Sequence, residues 1–400
     1  MRKWIVLAAG VVLQAVLGGI YAWSAFVPPL VREYGLSKGQ CGLIFGLTIA
    51  VFTVVMIPAG RMLRRTGPRI MAGLGAVLFG AGHLVASISD GNYLILLLGI
   101  GCLAGAGIGA GYVCPLTVAM KWFPRNRGLV TGVAVAGFGG GAIVLSFLVQ
   151  FLLTAAQWDA LQIFRFVGIV YGLVALGASL LLSEPATAET AAGKHESGVT
   201  SLKSCIRSGP FALLCLGMFA STFAGLLAVG NLKPIILEAD LSSRVATLGI
   251  SIFAVGNAAG RIIWGQVHDR MGSRPTVLLS LLTLALALSF FLFSLPAGLM
   301  LVVVMLSGIG FGACFVVYAS AVVHTFGVQL FPYLYPICFL GYGVAGLTGP
   351  GLGGWVADTT GSFAVAILIS LAIIGLAFIT IMVGLVENAV AESAMEQSAG

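Results

Sequence analysis

Long apolar segments alternate with short polar ones along the chain, and this pattern restricts the possible folds more than any other feature. Cutting the sequence at charged and turn residues leaves about twelve segments of roughly 20 residues or more, each able to cross ~30 Å of hydrocarbon as a helix. We number these segments as spans 1 to 12 and predict them near 4–28, 40–60, 70–88, 92–120, 128–154, 161–183, 210–235, 245–267, 276–295, 297–325, 331–356 and 362–386. Hydrophobic residues make up 59% of the chain and charged residues 8%, which excludes a soluble domain. The sequence predicts an all-α membrane protein with twelve transmembrane helices.

The basic side chains are distributed unequally between the two sides of the predicted membrane. If the N-terminus is cytoplasmic, fourteen of the 20 lysines and arginines fall on that side and five on the other. This asymmetry is typical of multi-pass proteins with both termini in the cytoplasm. It explains the net charge of +7 without a nucleic-acid partner. We expect a multi-pass protein of a prokaryotic cytoplasmic (inner) membrane, in contact with the lipid bilayer.

The sequence offers little for bond-making chemistry. Its seven cysteines are spread over the spans and their ends, so neither a disulfide framework nor a zinc site is indicated. We find no nucleophile beside a base, no cluster of metal ligands and no phosphate-binding loop at the end of a span. We therefore expect no enzyme activity, no metal and no cofactor.

The two halves of the chain repeat each other. Three patterns recur at offsets of 205, 201 and 204 residues: Gly60-x4-Arg65-x-Gly67-x-Arg69 with Gly265-x4-Arg270-x-Gly272-x-Arg274, the glycine run 107–111 with 308–312, and Gly137-Phe138-Gly139 with Gly341-Tyr342-Gly343. We predict an N-terminal six-helix bundle over 1–183, a flexible cytoplasmic linker over 184–208, and a C-terminal six-helix bundle with a short cytoplasmic tail over 209–400.

The repeat and one loop resemble a large transporter superfamily. Six-plus-six parallel repeats are the architecture of the major facilitator superfamily, with the substrate site between the halves. The loop Gly265-Gln-Val-His-Asp269-Arg270-Met-Gly-Ser-Arg274 is similar to its cytoplasmic signature. The resemblance implies a charge latch or gate at Asp269 and Arg270, and at Arg65 and Arg69 in the first half. There Arg64 replaces the aspartate.

Three further segments resemble one family within that superfamily. They are Gly18-Gly-Ile-Tyr-Ala-Trp-Ser24, Lys121-Trp-Phe-Pro-Arg-Asn-Arg-Gly-Leu-Val-Thr-Gly132 and Gly343-Val-Ala-Gly-Leu-Thr-Gly-Pro350. They are similar to the oxalate/formate antiporter family, which is close to the monocarboxylate (lactate/pyruvate) transporters. The resemblance implies a small carboxylate as the substrate. We expect the protein to work as a monomer, by rocking of its two halves around a fixed site.

Arg261 is the candidate for binding that carboxylate. It lies inside the apolar segment of span 8, and an ionisable residue at membrane depth is costly enough to suggest a function. A guanidinium does not lose its proton and can bind a carboxylate through two parallel hydrogen bonds. Asn257 lies one helical turn earlier, on the same face of the helix. The alternative is that Arg261 extends to the membrane surface and binds nothing.

The family resemblance also implies an aromatic box around the substrate, formed by side chains from spans 1, 4, 5, 10 and 11. The matching positions here are Tyr21, Tyr112, Phe138, Cys314, Tyr318, Phe339 and Tyr342. Aromatic side chains at helical spacing are as often packing residues as ligand contacts. The tyrosines are the stronger candidates, because a hydroxyl inside a membrane needs a partner.

The charges favour a monovalent substrate. Oxalate-exchanging relatives carry a second cation in span 11, whereas residues 330–357 contain no lysine or arginine. One cation balances one carboxylate, and a second carboxylate would be desolvated without a partner. No aspartate or glutamate lies inside a span. A coupled proton could therefore travel on the substrate, on His83 in span 3 or on His324 in span 10.

The sequence thus predicts a secondary transporter of short monocarboxylates, similar to L-lactate or pyruvate, and coupled to a proton. Net entry of an anion into a negative-inside cell costs ~2.3 kcal/mol per 100 mV, which symport with a proton avoids. One alternative is an exchanger of oxalate, formate or another small carboxylate. A second is a membrane sensor that uses the same fold without transport. Lys233 at the outer end of span 7 could either gather anions there or be an ordinary interfacial lysine.

Overall fold

The computed structural model describes residues 2–123, 127–185, 199–327 and 330–399, and its regular structure there is entirely helical. Span 1 is helix Arg2–Gly18 with the 3-10 turn Gly19–Ala25, span 2 is Lys38–Thr66 and span 3 is Pro68–Ser87. Span 4 consists of Tyr93–Leu96, Leu97–Ala104 and Gly105–Trp122. Span 5 is Arg127–Thr154, and span 6 consists of Ala160–Phe166, Val167–Tyr171 and Gly172–Leu181. Spans 7–12 are Gly209–Gly230, Ser243–Met271, Ser273–Ser289, Ala297–Phe326, Phe331–Thr360 and Ala364–Ala399.

Eleven helices in the described residues are long and apolar enough to cross a membrane. Phe331–Thr360, with 30 residues, is the remaining long helix and forms span 11. Short helices Val27–Tyr34, Val199–Ile206 and Leu232–Glu238 connect spans. The prediction of an all-α chain with twelve long helices is confirmed. The stretch 184–208, predicted as a flexible linker, contains one of the short helices.

Span 7 differs from the continuous segment 210–235 that the sequence suggested. Its helix ends at Gly230, and a second helix begins at Leu232. Pro234 explains the break, because it has no N–H to donate to the carbonyl of Gly230. The backbone at Asn231 leaves the helical region, with φ of −114° and ψ of 13°. The direction of the Lys233 side chain is therefore set by the second helix and not by the helix of span 7.

The helices have two ends: we call the end with Thr66, Leu182 and Met271 the linker end, and the end with Lys38 and Thr360 the opposite end. The two halves of the chain pack against each other towards the opposite end. Span 2 packs along span 11, span 5 along span 8, and span 1 against span 7. A side chain at Gly42 of span 2 would begin 2.2 Å from the carbonyl oxygen of Pro350 in span 11. Such close approach is possible only between glycine and a neighbouring backbone.

Spans 8 and 10 are also held together by glycines, and these position Arg261. A Cβ at Gly260 would lie 2.4 Å from the carbonyl oxygen of Ile309, and one at Gly312 would lie 2.4 Å from that of Asn257. The indole Nε1 of Trp264 donates to the carbonyl of Ile309 at 3.1 Å. The backbone of span 8 at Arg261 is therefore fixed directly against span 10.

Candidate functional site

The Arg261 side chain lies between the halves and is partly exposed. Its Nε donates to Oδ1 of Asn257 at 3.3 Å, and its guanidinium carbon is 4.6 Å from the centroid of the Phe315 ring. Asn257 is 3% exposed, so its amide is fixed by packing. The ion pairs of the described residues are Arg32–Glu33 and Lys121–Glu184. Arg261 therefore carries its charge without a protein carboxylate in that part of the chain.

Aromatic rings surround this guanidinium in a connected cluster, which we call the aromatic box. Successive ring centroids are 5.0–6.4 Å apart, within the usual range for edge-to-face and offset contacts. The box is contributed by both halves. Its members are Tyr21, Phe52, Tyr112, Phe138, Phe311, Phe315, Tyr335, Phe339 and Tyr342.

A pair of tyrosine hydroxyls within the aromatic box joins the two halves. The hydroxyl of Tyr21 in span 1 and that of Tyr342 in span 11 are 2.8 Å apart, and both side chains are buried. The Arg261 charge acts electrostatically on these hydroxyls and on those of Tyr112 and Tyr335. The polar groups of the box therefore converge on the region around one cation.

Most of the residues predicted for the site come together here. Arg261, Asn257, Tyr21, Tyr112, Phe138, Phe339 and Tyr342 lie in or beside the aromatic box, and the thiol of Cys314 is within electrostatic range of Arg261. Tyr318 lies elsewhere. Its hydroxyl accepts a hydrogen bond from Ser221 at 3.4 Å, and its ring packs against Gly217 of span 7.

Four members of the aromatic box were not predicted: Phe52, Phe311, Phe315 and Tyr335. Phe311 and Phe315 are one helical turn apart in span 10, so they share a face. Because Cys314 was already predicted to line the site, this spacing could have indicated that Phe311 and Phe315 line it as well. Phe52 carries no such signal, because phenylalanine is common throughout the spans. Its position in the box depends on the packing of span 2 against span 11.

The two histidines proposed as proton carriers lie outside the aromatic box. His83 is buried in the first half, with Nδ1 2.9 Å from the carbonyl oxygen of Phe79. It lines an enclosed cavity of ≈ 20 Å³ together with Trp23 and Phe164. His324 is exposed at the linker end. There it lines an open groove of ≈ 420 Å³ with His268, Asp269, Ala319, Ser320 and Val323.

The predicted latch residues also lie at the linker end. Asp269 and Arg270 are exposed, and Arg65 lines a second groove of ≈ 530 Å³ with Pro58, Arg61 and Met62. Among the described residues Asp269 forms no ion pair. Arg69 donates through Nε to the carbonyl oxygen of Leu182 at 2.9 Å, which fixes the loop after span 2 to the end of span 6. The latch itself remains a prediction.

The start of the linker is held by the end of span 4. Trp122 donates through Nε1 to the carbonyl oxygen of Ser183 at 2.6 Å, and Lys121 pairs with Glu184 at 2.7 Å. These two residues open the Lys-Trp-Phe-Pro segment singled out in the sequence. Lys121 and Trp122 thus anchor the linker, and neither is among the rings of the aromatic box.

The chain was compared with known proteins. A family model described as the Major Facilitator Superfamily matches residues 7–239 and 214–397. The oxalate:formate antiporter of Oxalobacter formigenes is 26% identical over 367 residues, which cover 90% of this chain and 86% of that protein. Monocarboxylate transporter 13 of Rattus norvegicus is 25% identical over 373 residues, which cover 92% of this chain and 85% of the relative.

One solved structure with the same fold is that of a bacterial homologue of the human lysosomal transporter Spinster, in an inward-facing and occupied conformation. It aligns with a TM-score of 0.76 over 96% of each chain at 16% identity. At this identity the likeness concerns the fold alone, and it confirms the predicted twelve-helix architecture. The family match covers nearly the whole chain, and this protein therefore belongs to the Major Facilitator Superfamily and is a multi-pass membrane transporter.

Proposed function

We propose that this protein transports short monocarboxylates similar to L-lactate or pyruvate, together with one proton. The observation that carries the proposal is the charge of Arg261, which has no carboxylate partner among the described residues and faces an aromatic box without charge. A buried or half-buried cation in a membrane needs an anion. The substrate carboxylate would supply it.

The chemistry of the aromatic box suits a small anion with a short carbon chain. Small-molecule sites combine apolar walls with a few polar groups that fix orientation. Here the guanidinium would bind the carboxylate through two hydrogen bonds. Asn257 would orient the guanidinium, and the Tyr21–Tyr342 hydroxyl pair would exchange one of its hydrogen bonds for a hydroxyl or keto oxygen of the substrate.

The same charge count favours a monocarboxylate over a dicarboxylate. Among the described residues, Arg261 is the one cation that lies over a ring of the aromatic box, and span 11 has neither lysine nor arginine over 330–357. A dianion would bring one carboxylate into the site without a compensating charge, which is energetically unfavourable. Two relatives support carboxylates as a class: one is named an oxalate:formate antiporter and the other a monocarboxylate transporter.

Proton coupling follows from charge balance. A monocarboxylate and a proton move together without net charge, so the membrane potential does not oppose entry. Because Asp269 and Asp358 lie near the ends of spans 8 and 11, and because His83 and His324 lie outside the aromatic box, we propose that the proton accompanies the substrate. An exchanger of oxalate or formate is the main alternative, supported by the 26% identical antiporter.

Transport would proceed by alternating access. The hydrogen bonds between the halves run from the Tyr21–Tyr342 pair to the opposite end, where Asp358 of span 11 accepts from the backbone N–H of Lys38 and Gly39 at 3.0 Å and 2.7 Å. We propose that the linker end is cytoplasmic and that this conformation faces inward. Opening to the outside would then require these contacts to break.

The proposal is tested with purified protein in liposomes. An inward proton gradient should drive accumulation of radiolabelled L-lactate into empty vesicles if the protein is a symporter. An exchanger would require carboxylate inside the vesicles and would show counterflow that is insensitive to the gradient. Absence of flux under both conditions would contradict a transport function and favour a sensor.

A further inference from the structure

A second cation is buried away from the aromatic box, at the opposite end of the molecule. Lys233 in the short helix Leu232–Glu238 is 3% exposed. Its Nζ donates to Oε1 of Gln150 at 2.8 Å and lies 3.4 Å from Oγ1 of Thr247. No ion pair of the described residues includes it. A buried ammonium with only neutral oxygen partners is costly.

Two acidic side chains at the same end of the molecule have other partners. Glu238, on the same short helix, accepts from the backbone N–H of Phe363 at 3.1 Å and from the hydroxyl of Ser362. Asp358 accepts from the backbone of span 2. Burial lowers the pKa of Lys233 to about 8, so the amine is still mostly protonated at pH 7. Its charge is therefore available to an anion that enters from outside.

The current partner of Lys233 belongs to the other half of the protein. Gln150 is on span 5, whereas Lys233, Thr247 and Ser243 are on the short helix after span 7 and on span 8. The single oxygen Oε1 of Gln150 accepts from Thr247 at 3.0 Å and from Ser243 at 3.3 Å as well as from Lys233. Because Gln150 and the three donors belong to different halves, opening of this end would separate Gln150 from all three donors at once.

The three donors that remain after opening form a carboxylate site. They are one ammonium and two hydroxyls. In the present structure all three converge on Oε1 of Gln150, which is the oxygen of a planar amide group. A carboxylate presents the same kind of oxygen with a negative charge, and charge-assisted hydrogen bonds are about twice as strong as neutral ones. An anion at this position would replace Gln150 with a better partner.

Polar side chains of span 8 lie between this position and Arg261. Ser251 is one helical turn after Thr247, and its hydroxyl lies 3.4 Å from that of Ser146 on span 5. Residues 252–256 are apolar, and Asn257 and Arg261 follow them; the whole distance from Thr247 to Arg261 is about 21 Å by helical rise. When spans 5 and 8 separate, the hydroxyls of Ser146 and Ser251 would line the outer part of the way to the aromatic box.

We propose that Lys233, Thr247 and Ser243 form an outer entry site for small carboxylates, which is occupied by Gln150 when the opposite end is closed. The inference rests on the proposed function. It adds that an outside carboxylate and Gln150 compete for the same three donors. Binding of the carboxylate keeps the opposite end open until the anion moves inward to Arg261, and Gln150 then closes it.

The first experiment compares Lys233→Gln, Lys233→Arg and the matched control Arg244→Gln, which removes an exposed cation at the same end. L-lactate uptake is measured in right-side-out membrane vesicles. We expect Lys233→Gln to raise the half-saturating outside concentration about tenfold, with the maximal rate within about twofold of the unchanged protein. Lys233→Arg keeps the positive charge and should raise the half-saturating concentration less than Lys233→Gln does, and Arg244→Gln should keep the original value. A fall in maximal rate at unchanged half-saturation would show that Lys233 only holds the gate, which overturns the entry site.

The second experiment remains decisive if Lys233→Gln does not reach the membrane. Gln150→Glu places a fixed carboxylate on the three donors, which should hold the gate closed and slow L-lactate exchange at least fivefold. Addition of Lys233→Arg should leave the block in place, and addition of Thr247→Val should relieve part of it. Exchange at the original rate in Gln150→Glu would overturn the competition. If the unchanged protein moved no carboxylate at all, the proposed function would fail instead.

Discussion

The guanidinium carbon of Arg261 lies 4.6 Å from the centroid of the Phe315 ring, while the Nε of the same group is held by Asn257 at 3.3 Å. The ring face offers a cation–π contact worth about 0.5–2 kcal/mol, and the amide fixes one edge of the guanidinium. Neither contact neutralises the charge. Arg261 is thus positioned by neutral groups, and its terminal nitrogens have no hydrogen-bond partner among the described residues, as the proposed binding of an anion requires.

The first prediction concerns the charge and the shape of this group. Arg261→Ala should abolish L-lactate uptake, and Arg261→Lys should reduce the ratio of maximal rate to half-saturation at least tenfold, because an ammonium cannot form the paired planar hydrogen bonds. Uptake into proteoliposomes measures both. Arg244→Ala, at an exposed position of the same helix, should remain normal. Normal uptake in Arg261→Ala would refute the role of the site.

The second prediction concerns Asn257. Asn257→Asp places a carboxylate on the atom that now accepts from Arg261 at 3.3 Å, so an internal ion pair should compete with the substrate. We expect half-saturation to rise several-fold and to stay raised between pH 8 and pH 5.5, because the adjacent guanidinium keeps the pKa of the new carboxyl below its usual value of about 4. Asn257→Gln introduces no charge and should raise half-saturation less. An equal effect of both substitutions would contradict the competition.

The third prediction uses Tyr342, whose hydroxyl meets that of Tyr21 at 2.8 Å. Tyr342→Lys adds a second cation to the aromatic box and should shift preference from L-lactate towards oxalate. Tyr342→Phe serves as the control, because it removes the same hydroxyl without adding charge. Competition of unlabelled oxalate against labelled L-lactate gives the readout. A selectivity profile that is identical in the two variants would exclude charge matching as the basis of specificity.

The fourth prediction concerns the contact of spans 8 and 10. A Cβ at Gly312 would be 2.4 Å from the carbonyl oxygen of Asn257, so Gly312→Ala should push the helices apart. The expected destabilisation is about 1–3 kcal/mol, seen as a lower unfolding temperature in detergent, with uptake reduced as well. Gly298→Ala in the same helix meets no atom within 4 Å. It should leave the unfolding temperature and uptake unchanged, and equal behaviour of the two variants would contradict the packing argument.

The fifth prediction addresses the proton. His83 and His324 lie away from Arg261, so the double substitution His83→Gln with His324→Gln should retain stimulation of uptake by an inward proton gradient. Uptake at several outside pH values, with the inside buffered, provides the measurement. Loss of the stimulation in His324→Gln alone would assign the proton to the linker end of span 10.

Much of this arrangement could be predicted from the sequence, because membrane helices are strongly constrained. The lengths of the apolar segments predicted the transmembrane helices. The i, i+4 spacing of Asn257 and Arg261 predicted that their side chains are in contact. The break in span 7 at Asn231 was missed, although Pro234 signals it. The rotation of each helix was harder to predict. Tyr318 lies against span 7, whereas Phe52 and Phe315 are in the aromatic box, and neither outcome follows from depth counted from the loops.

The central claim is that one fixed positive charge at Arg261 is matched to one carboxylate. Its most direct test is uptake of a panel of mono- and dicarboxylates into proteoliposomes, with and without an inward proton gradient, by the unchanged protein and by Arg261→Ala. We predict gradient-driven uptake of monocarboxylates such as L-lactate, at least tenfold above that of oxalate, and its loss in the variant. Oxalate uptake equal to that of L-lactate, or uptake that persists in Arg261→Ala, would contradict the claim.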